Sequence, residues 1–179
     1  MVERGGRTTV GQRLAALGLT LPPPPAPLAA YLPAVQAGDL LFVSGQLPLR
    51  GGVVLHPGKL GGGVDVEQGV ASARQALLNG LAVIAQVASL DRVVRVVRLN
   101  GFVASTPEFF QQPAVLNGAS DLLVALFGER GRHSRVAVGV AVLPLNAPVE
   151  LDLVVELHPF PSRKRSGQAR KRSGRGSRR

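Results

Sequence analysis

The sequence predicts an α+β domain in which two long helices lie on one face of a mostly antiparallel sheet. Three observations lead to this prediction. Two stretches in the middle of the chain carry apolar residues at helical spacing, valine-rich runs typical of strands separate and follow them, and glycine or proline marks the boundaries. The predicted order is helix, three strands, helix, strand, helix and two strands.

The helices are predicted from their terminal signals and their periodicity. The first long helix begins at Asp65, which is followed three positions later by Gln68 in the spacing of a capping box, and it runs to residue 88. The second helical region covers residues 106–127, with Pro113 opening its regular part and Gly128 ending it. A short amphipathic helix is predicted at residues 8–17, and a stiff polyproline segment follows over residues 21–27.

Strands are predicted at residues 34–36, 40–44, 53–55 and 92–104, and a closing hairpin over residues 133–157 turns at Leu143-Pro144. Strand side chains alternate between faces. In the first hairpin strand the valines at even positions 136–142 would fill the core face, and Arg135 would lie with small residues on the other face. A monomer would expose that small-residue face, so the pattern predicts a homo-oligomer.

Composition divides the 179 residues into a nearly neutral body and a basic tail. The net charge is +10, but residues 161–179 hold nine of the 21 Lys and Arg and no acid. Such a Gly/Ser/Arg segment is expected to be disordered, and it could bind nucleic acid weakly. The absence of cysteine and of a secretory or membrane-spanning segment predicts a cytoplasmic protein.

Arg135 and Glu150 are the best candidates for chemistry. An arginine can grip a carboxylate with two hydrogen bonds, and a nearby glutamate can hold a water or move protons. The simpler alternative is a structural ion pair at a subunit contact. In the predicted hairpin the two residues lie on the order of 20 Å apart, so they would cooperate only across a subunit boundary.

Other kinds of site have weak signals. The three histidines lack metal-ligand spacing, and no serine has a convincing histidine and acid partner, so neither a metal nor a cofactor is expected. Gly45, at the end of a strand, permits either a close backbone approach to a ligand or a bend in the strand.

Several motifs together resemble the RidA/YjgF family of reactive-intermediate deaminases, also labelled L-PSP endoribonucleases. They are YLPAVQAGDLLFVSGQLP at residues 31–48, the strand at 93–103, and RVAVGVAVLP followed by VELDLVVEL. The resemblance covers residues 28–157. It divides the chain into an N-terminal extension at 1–27, a RidA/YjgF-like domain at 28–160, and the tail at 161–179.

The resemblance implies a chorismate-mutase-like fold, a homotrimer with clefts between subunits, and hydrolysis of enamines or imines such as 2-aminoacrylate to 2-keto acids and ammonia. Arg135 would bind the substrate carboxylate, and Glu150 would activate the attacking water. The resemblance also implies cleft positions for other residues of this chain: Tyr31, Gly45, Asn117 and Ala137. The Arg-Ser-Cys sequence common in deaminases is replaced by Arg135-Val136-Ala137, so this cleft has no thiol.

Three functions follow as hypotheses. The first is an imine deaminase or a cleft that binds small carboxylates. The second is a non-catalytic ligand-binding or chaperone-like trimer that has kept the scaffold. The third, ranked lowest, is a ribonuclease or RNA-binding protein, suggested by the older family label and the basic tail.

Overall fold

The computed structural model describes residues 8–24 and 30–158, and these form a five-stranded sheet with two long helices packed on one side. The predicted disordered tail and part of the predicted polyproline segment lie outside these residues. No helix in this part of the chain combines the length and apolar character needed to cross a membrane.

The sheet is mostly antiparallel. Its strands are β1 (Ala34–Ala37), β2 (Leu40–Gln46), β7 (Val93–Ala104), β8 (Ser134–Val140) and β9 (Val149–Leu157), arranged in the order β1-β2-β9-β7-β8. Only the β7–β8 pair is parallel among these neighbours. Four two-residue strands, β3 (Leu49–Arg50), β4 (Val53–Val54), β5 (Lys59–Leu60) and β6 (Gly63–Val64), form two small additional sheets after β2.

The helices agree well with their sequence signals. Helix α2 (Val66–Val87) begins after Asp65, whose side chain accepts from the Gln68 backbone N–H while the Gln68 side chain accepts from the Asp65 N–H. Helix α3 (Gln112–Phe127) has proline in its first turn and Gly128 as its C-cap residue. Helix α1 (Val10–Ala16) buries Val10 against the same core, and Asp91 accepts from the Val10 N–H at 2.8 Å.

The predicted C-terminal hairpin is wrong. Strands β8 and β9 are not neighbours, because β7 lies between them and pairs with both. The connection from residue 141 to residue 148 crosses the end of β7 and contains a 3-10 turn at Pro144–Asn146. Eight residues exceed the usual length of a hairpin loop, which is two to five residues. The connection is therefore long enough to step over one strand.

The predicted faces of β8 are also wrong. Arg135 donates to side chains of α3 and Ala137 packs against the core, so the first half of the small-residue face lies under that helix, whereas Gly139 and Ala141 further along are exposed. The valines point to the opposite side, where Val138 is 40% exposed, and Val142, just past the strand, is 71% exposed. The alternation of side chains along a strand predicts which residues share a face. It does not predict which face a helix covers, because that depends on contacts between segments distant in the sequence.

The core lies between the helices and β2, β9 and β7. Every second residue of β9 is almost fully buried, as predicted: Val149, Leu151, Leu153, Val155 and Leu157. The polar side chain of Asn79 is buried in α2, where its Nδ2 donates to the carbonyl oxygens of Leu47 and Leu49 at 2.8 and 3.0 Å. These bonds satisfy backbone acceptors where the chain leaves β2, and they fix the segment that follows Gly45.

Candidate functional site: two half-sites on opposite faces of the sheet

The open face of the sheet is the side away from α2 and α3, and it carries one half-site. An open groove of about 670 Å³ lies on it. Three of the predicted site residues, Tyr31, Gly45 and Glu150, line this groove together. We call it the Glu150 groove. Three residues that were not predicted also line the wall of this groove: Phe42 and Ser44 of β2, and Asp152 of β9.

A bulge in β2 brings Gly45 against Glu150. The regular pairing of β2 with β9 shifts between Val43 and Gln46, so Ser44 and Gly45 leave the ladder. A Cβ atom built on Gly45 would overlap the Glu150 carboxylate. Glycine at this position therefore leaves the space that the Glu150 side chain occupies. The interpretation of Gly45 as a bulge is confirmed, and the group that approaches it closely is the side chain of Glu150; the approach of a ligand stays a prediction.

Hydrogen bonds hold the bulge and the segment beside it. The side-chain amide of Gln46 donates to the Ser44 carbonyl at 2.9 Å. The Ser44 hydroxyl donates to the Leu32 carbonyl at 2.7 Å, and the Ser44 N–H donates to the Pro33 carbonyl at 3.0 Å. Because Leu32 follows Tyr31 directly, these bonds also keep the half-exposed Tyr31 beside the groove.

Glu150 lies in an environment that disfavours its charge. Burial raises the pKa of Glu150, and the carboxylate of Asp152, two residues along the same face of β9, raises it further. Burial also raises the pKa of Asp152, although the Asn100 amide, which donates to it at 2.8 Å, and the charge of Arg98 oppose that rise. A carboxylate with a raised pKa is a stronger base, which suits it to take a proton from water.

The second half-site lies on the helix side of the sheet, between β8 and α3. Arg135 Nη1 donates to Asn117 Oδ1 at 2.9 Å and to Ser120 Oγ at 3.0 Å, and both acceptors are on α3. The structure thus brings together the predicted residues Arg135 and Asn117. Ala137, two residues along β8 on the same face, packs against the core. We call this group the Arg135 half-site.

Arg135 has spare hydrogen-bonding capacity. A guanidinium carries five N–H donors, and Asn117 and Ser120 occupy the two on Nη1. Within the described residues Arg135 makes no other hydrogen bond, and no carboxylate lies within ion-pair distance of it. The Nε and Nη2 hydrogens remain available, and their geometry matches the two oxygens of a carboxylate.

The two half-sites do not meet within one chain. In the sheet register Arg135 pairs with Leu99, and Leu99 pairs with Leu153, three residues from Glu150. Two strand spacings and a three-residue offset therefore separate them, and the side chains point to opposite faces. One chain therefore does not bring the two residues together, but the reason differs from the predicted one: they lie on opposite faces of the sheet and are not spaced along one face of a hairpin.

Sequence reasoning selected Asn117 but missed Ser120, the second partner of Arg135. Ser120 lies three residues after Asn117, which places both on one face of α3. The hydroxyl of Ser120 also lies 3.0 Å from His133 Nε2. Helical spacing could have grouped Asn117 with Ser120, but nothing local indicates that β8 runs beneath them.

A two-layer α+β fold of this kind, with a partly buried arginine on one face of the sheet and a glutamate on the other, agrees with the sequence resemblance. The chain belongs to the family described as "YjgF/chorismate mutase-like, putative endoribonuclease", whose profile matches residues 11–157. The family resemblance inferred from the sequence motifs is thereby confirmed.

Individual relatives and solved structures give the same family. Protein TCP17 of Trypanosoma cruzi is 47% identical over 151 residues, covering 83% of this chain and 94% of the relative. A 2-iminobutanoate/2-iminopropanoate deaminase of Dermatophagoides farinae is 30% identical over 137 residues, with coverage of 76% and 93%. The crystal structure of a "putative endoribonuclease" from Shewanella oneidensis is similar with a TM-score of 0.82 and 40% identity, covering 84% of this chain and all of that one.

Proposed function

We propose that this protein hydrolyses small imines and enamines of the 2-aminoacrylate type to 2-keto acids and ammonia, in clefts shared between copies of a homotrimer. The observation that carries the proposal is the Arg135 guanidinium. It is held on one side by Asn117 and Ser120, and no other residue that the structure describes uses its three remaining N–H donors. The relative from Dermatophagoides farinae, named as an imine deaminase, supports the same reaction class.

The proposed chemistry assigns one role to each half-site. Arg135 binds the substrate carboxylate and leaves the adjacent imine carbon exposed to attack. Glu150 of a second copy takes a proton from water as the water oxygen bonds to that carbon. Glu150 passes this proton to the nitrogen, whose double bond to carbon has become single, and it takes the proton of the new hydroxyl as the C–N bond breaks, ammonia leaves and the carbonyl forms. An enamine such as 2-aminoacrylate first takes a proton from water at its methylene carbon and so becomes the iminium that is attacked. The raised pKa of Glu150 favours its proton transfers near neutral pH.

The open face supports assembly because its apolar side chains form rows across the strands. Val35 pairs with Phe42, which pairs with Val154, and Phe102 pairs with Val138. Val35, Phe42 and Val138 are each 40% exposed or more in a single chain. The Asn100–Asp152 pair lies between the two rows, so the apolar side chains form two patches. Exposed apolar patches of this kind are typical of an oligomer interface. Phe42 and Val154 also line the Glu150 groove, so a second copy seated there would meet Glu150.

A second candidate function is binding of small keto acids without turnover, as in a ligand-binding or chaperone-like trimer. Ala137 favours it, because this side chain packs against the core and brings no reactive group to the Arg135 half-site. The family description also names endoribonucleases, and RNA binding by residues 161–179 remains a separate hypothesis. A cytoplasmic location stays a prediction from composition.

The test uses 2-aminoacrylate generated by a serine dehydratase and measures how fast the purified protein converts it to pyruvate. We expect acceleration by the wild type and losses in Arg135→Ala and Glu150→Ala, roughly 10–100-fold for the arginine because charged hydrogen bonds are lost. Arg132→Ala is a matched control, since Arg132 is exposed and pairs with Glu129. Equal rates for Arg135→Ala and the wild type would contradict the proposal, and pyruvate binding without turnover would favour the second candidate.

The hypothesis that residues 161–179 bind RNA needs a separate test. RNA binding by the full chain is compared with RNA binding by a variant from which residues 161–179 are deleted.

A further inference from the structure

Ser120 and His133 form a hydrogen-bonded pair behind Arg135. His133 Nδ1 lies 2.6 Å from the Gly131 carbonyl oxygen, and His133 Nε2 lies 3.0 Å from Ser120 Oγ. The same oxygen of Ser120 lies 3.0 Å from Arg135 Nη1. These contacts connect a backbone carbonyl, an imidazole, a hydroxyl and a guanidinium in series.

The chemistry of each group fixes the direction of the bonds. A carbonyl oxygen only accepts, so Nδ1 carries a hydrogen and donates to Gly131. In the neutral ring Nε2 is then an acceptor, and the Ser120 hydroxyl donates its single hydrogen to it. The Ser120 oxygen is left as an acceptor toward Arg135, which can only donate. The bond to His133 therefore takes up the single hydrogen of Ser120 and sets the direction in which the serine lone pairs point.

We propose that Ser120 and His133 are positioning residues that fix the orientation of the Arg135 guanidinium for its ligand. Ser120 and Asn117 accept both Nη1 hydrogens, which stops the guanidinium plane from rotating and directs its Nε–Nη2 edge outward. The inference rests on the proposed function, because it takes a carboxylate as the ligand of that edge. The Ser120 oxygen is already engaged by Arg135, so the pair serves the guanidinium rather than acting as a nucleophile and base.

Orientation of this kind affects binding because a side chain that is already held loses less freedom when the ligand arrives. Removing one neutral hydrogen bond typically changes a free energy by about 0.5–1.5 kcal/mol, which corresponds to roughly a 2- to 12-fold change in affinity. The two residues act in series, so removing both should cost no more than removing Ser120 alone.

The first measurement needs no ligand. The Nη signals of Arg135 in nitrogen-15 NMR, assigned by their loss in Arg135→Ala, report how fast the guanidinium rotates. We expect slow rotation in the wild type and fast rotation in Ser120→Ala and His133→Leu. Ser120→Thr keeps the hydroxyl, and His133→Gln keeps an acceptor near the Nε2 position, so both should restore slow rotation. Unchanged rotation in Ser120→Ala would overturn the proposal.

The second measurement is pyruvate binding by calorimetry on the same variants. We expect an affinity several-fold weaker in Ser120→Ala and in His133→Leu, a double variant no weaker than Ser120→Ala, and recovery in Ser120→Thr. Ser134→Ala is the matched control, since it removes a hydroxyl beside Arg135 that donates to the Val97 carbonyl. Additive losses in the double variant would contradict a series arrangement.

The two measurements separate this inference from the proposed function. If rotation depends on Ser120 and His133 but pyruvate does not bind, the positioning inference stands and the keto acid assignment fails. If pyruvate binds through Arg135 and neither variant changes rotation or affinity, the keto acid assignment stands and the positioning inference fails. Thermal unfolding of each variant shows whether a loss of affinity or of slow rotation is caused by misfolding. If Ser120→Ala or His133→Leu does not fold, Ser120→Thr and His133→Gln still test whether the hydroxyl and the acceptor are needed.

Discussion

Gly45 and Glu150 belong to neighbouring strands, and the carboxylate of Glu150 occupies the space where a side chain of residue 45 would begin. The bulge at Ser44–Gly45 creates this proximity. The glycine is therefore a determinant of where Glu150 lies, in addition to being a bend in the strand.

Gly45→Ala should displace the Glu150 carboxylate and reduce imine hydrolysis with little change in the rest of the fold. The added methyl group would overlap Glu150 Oε1, and the flexible glutamate would give way before the backbone does. The measurement is the 2-aminoacrylate assay with thermal unfolding alongside. Gly11→Ala in α1 is the control, because its Cβ would meet only Thr9 Oγ1 at an ordinary 3.8 Å. A fully active Gly45→Ala would show that the position of Glu150 is unimportant.

Glu150→Gln should stabilise the protein at neutral pH. Burial and the Asp152 charge raise the pKa of Glu150 above its ordinary value of 4.5. The folded protein then binds this proton more tightly than the unfolded chain does. The free energy of unfolding consequently decreases as pH rises from the ordinary value through the raised one. Glutamine has no such charge, so the melting temperature of the variant should depend less on pH across that interval.

The comparison is a set of thermal unfolding curves from mildly acidic to neutral pH. An Asp152→Asn background provides the control, since without the neighbouring charge the stabilisation by Glu150→Gln should be smaller. A Glu150→Gln protein that melts below the wild type at neutral pH would be evidence against the unfavourable environment assigned to this carboxylate.

Mixed oligomers of Arg135→Ala and Glu150→Ala should recover activity that neither variant has alone. The two side chains lie on opposite faces of one sheet, so each complete cleft would take one from each of two copies. With random mixing of equal amounts, about a quarter of the clefts combine two intact residues. Activity after co-refolding is the measurement, and each variant refolded alone is the control. Absence of recovery would indicate that the two residues do not share a cleft.

Val138→Arg should weaken self-association. Val138 is 40% exposed on the open face, within the row that contains Phe102 and Glu150. A charge placed in an apolar interface loses its hydration without gaining a partner. Sedimentation velocity gives the oligomeric state. Val124→Arg is a matched control on α3, where the valine is equally exposed, and we expect no change there. An unaltered oligomer in Val138→Arg would locate the interface elsewhere.

The helices were predictable from local signals. The order of the strands was not, because the sequence of a strand does not specify which other strand it pairs with. The capping box of Asp65 and Gln68 is complete within four residues, and α2 begins where it indicates. The insertion of β7 between β8 and β9 depends on contacts between residues 36 to 64 positions apart in the sequence. Neighbouring valines at positions 136–140 fit either side of a sheet equally well, so their face could not be read from spacing.

The candidate site divides in the same way. Arg135, Glu150 and Gly45 were selected from the residue pattern and Asn117 through the family resemblance, and the structure places them in two groups. Ser120 and His133 were not selected, because a serine in a helix and a histidine in a loop have no meaningful spacing in sequence. Only the packing of α3 over β8 brings them together.

The placement of Arg135 and Glu150 on opposite sides of one sheet has a consequence for how the protein behaves in dilute solution. In the proposed mechanism a lone copy would hold the substrate carboxylate at Arg135 while its own Glu150 faces away on the other side of the sheet. The specific rate should therefore decline once the protein is diluted below the concentration at which copies dissociate, and it should return on reconcentration.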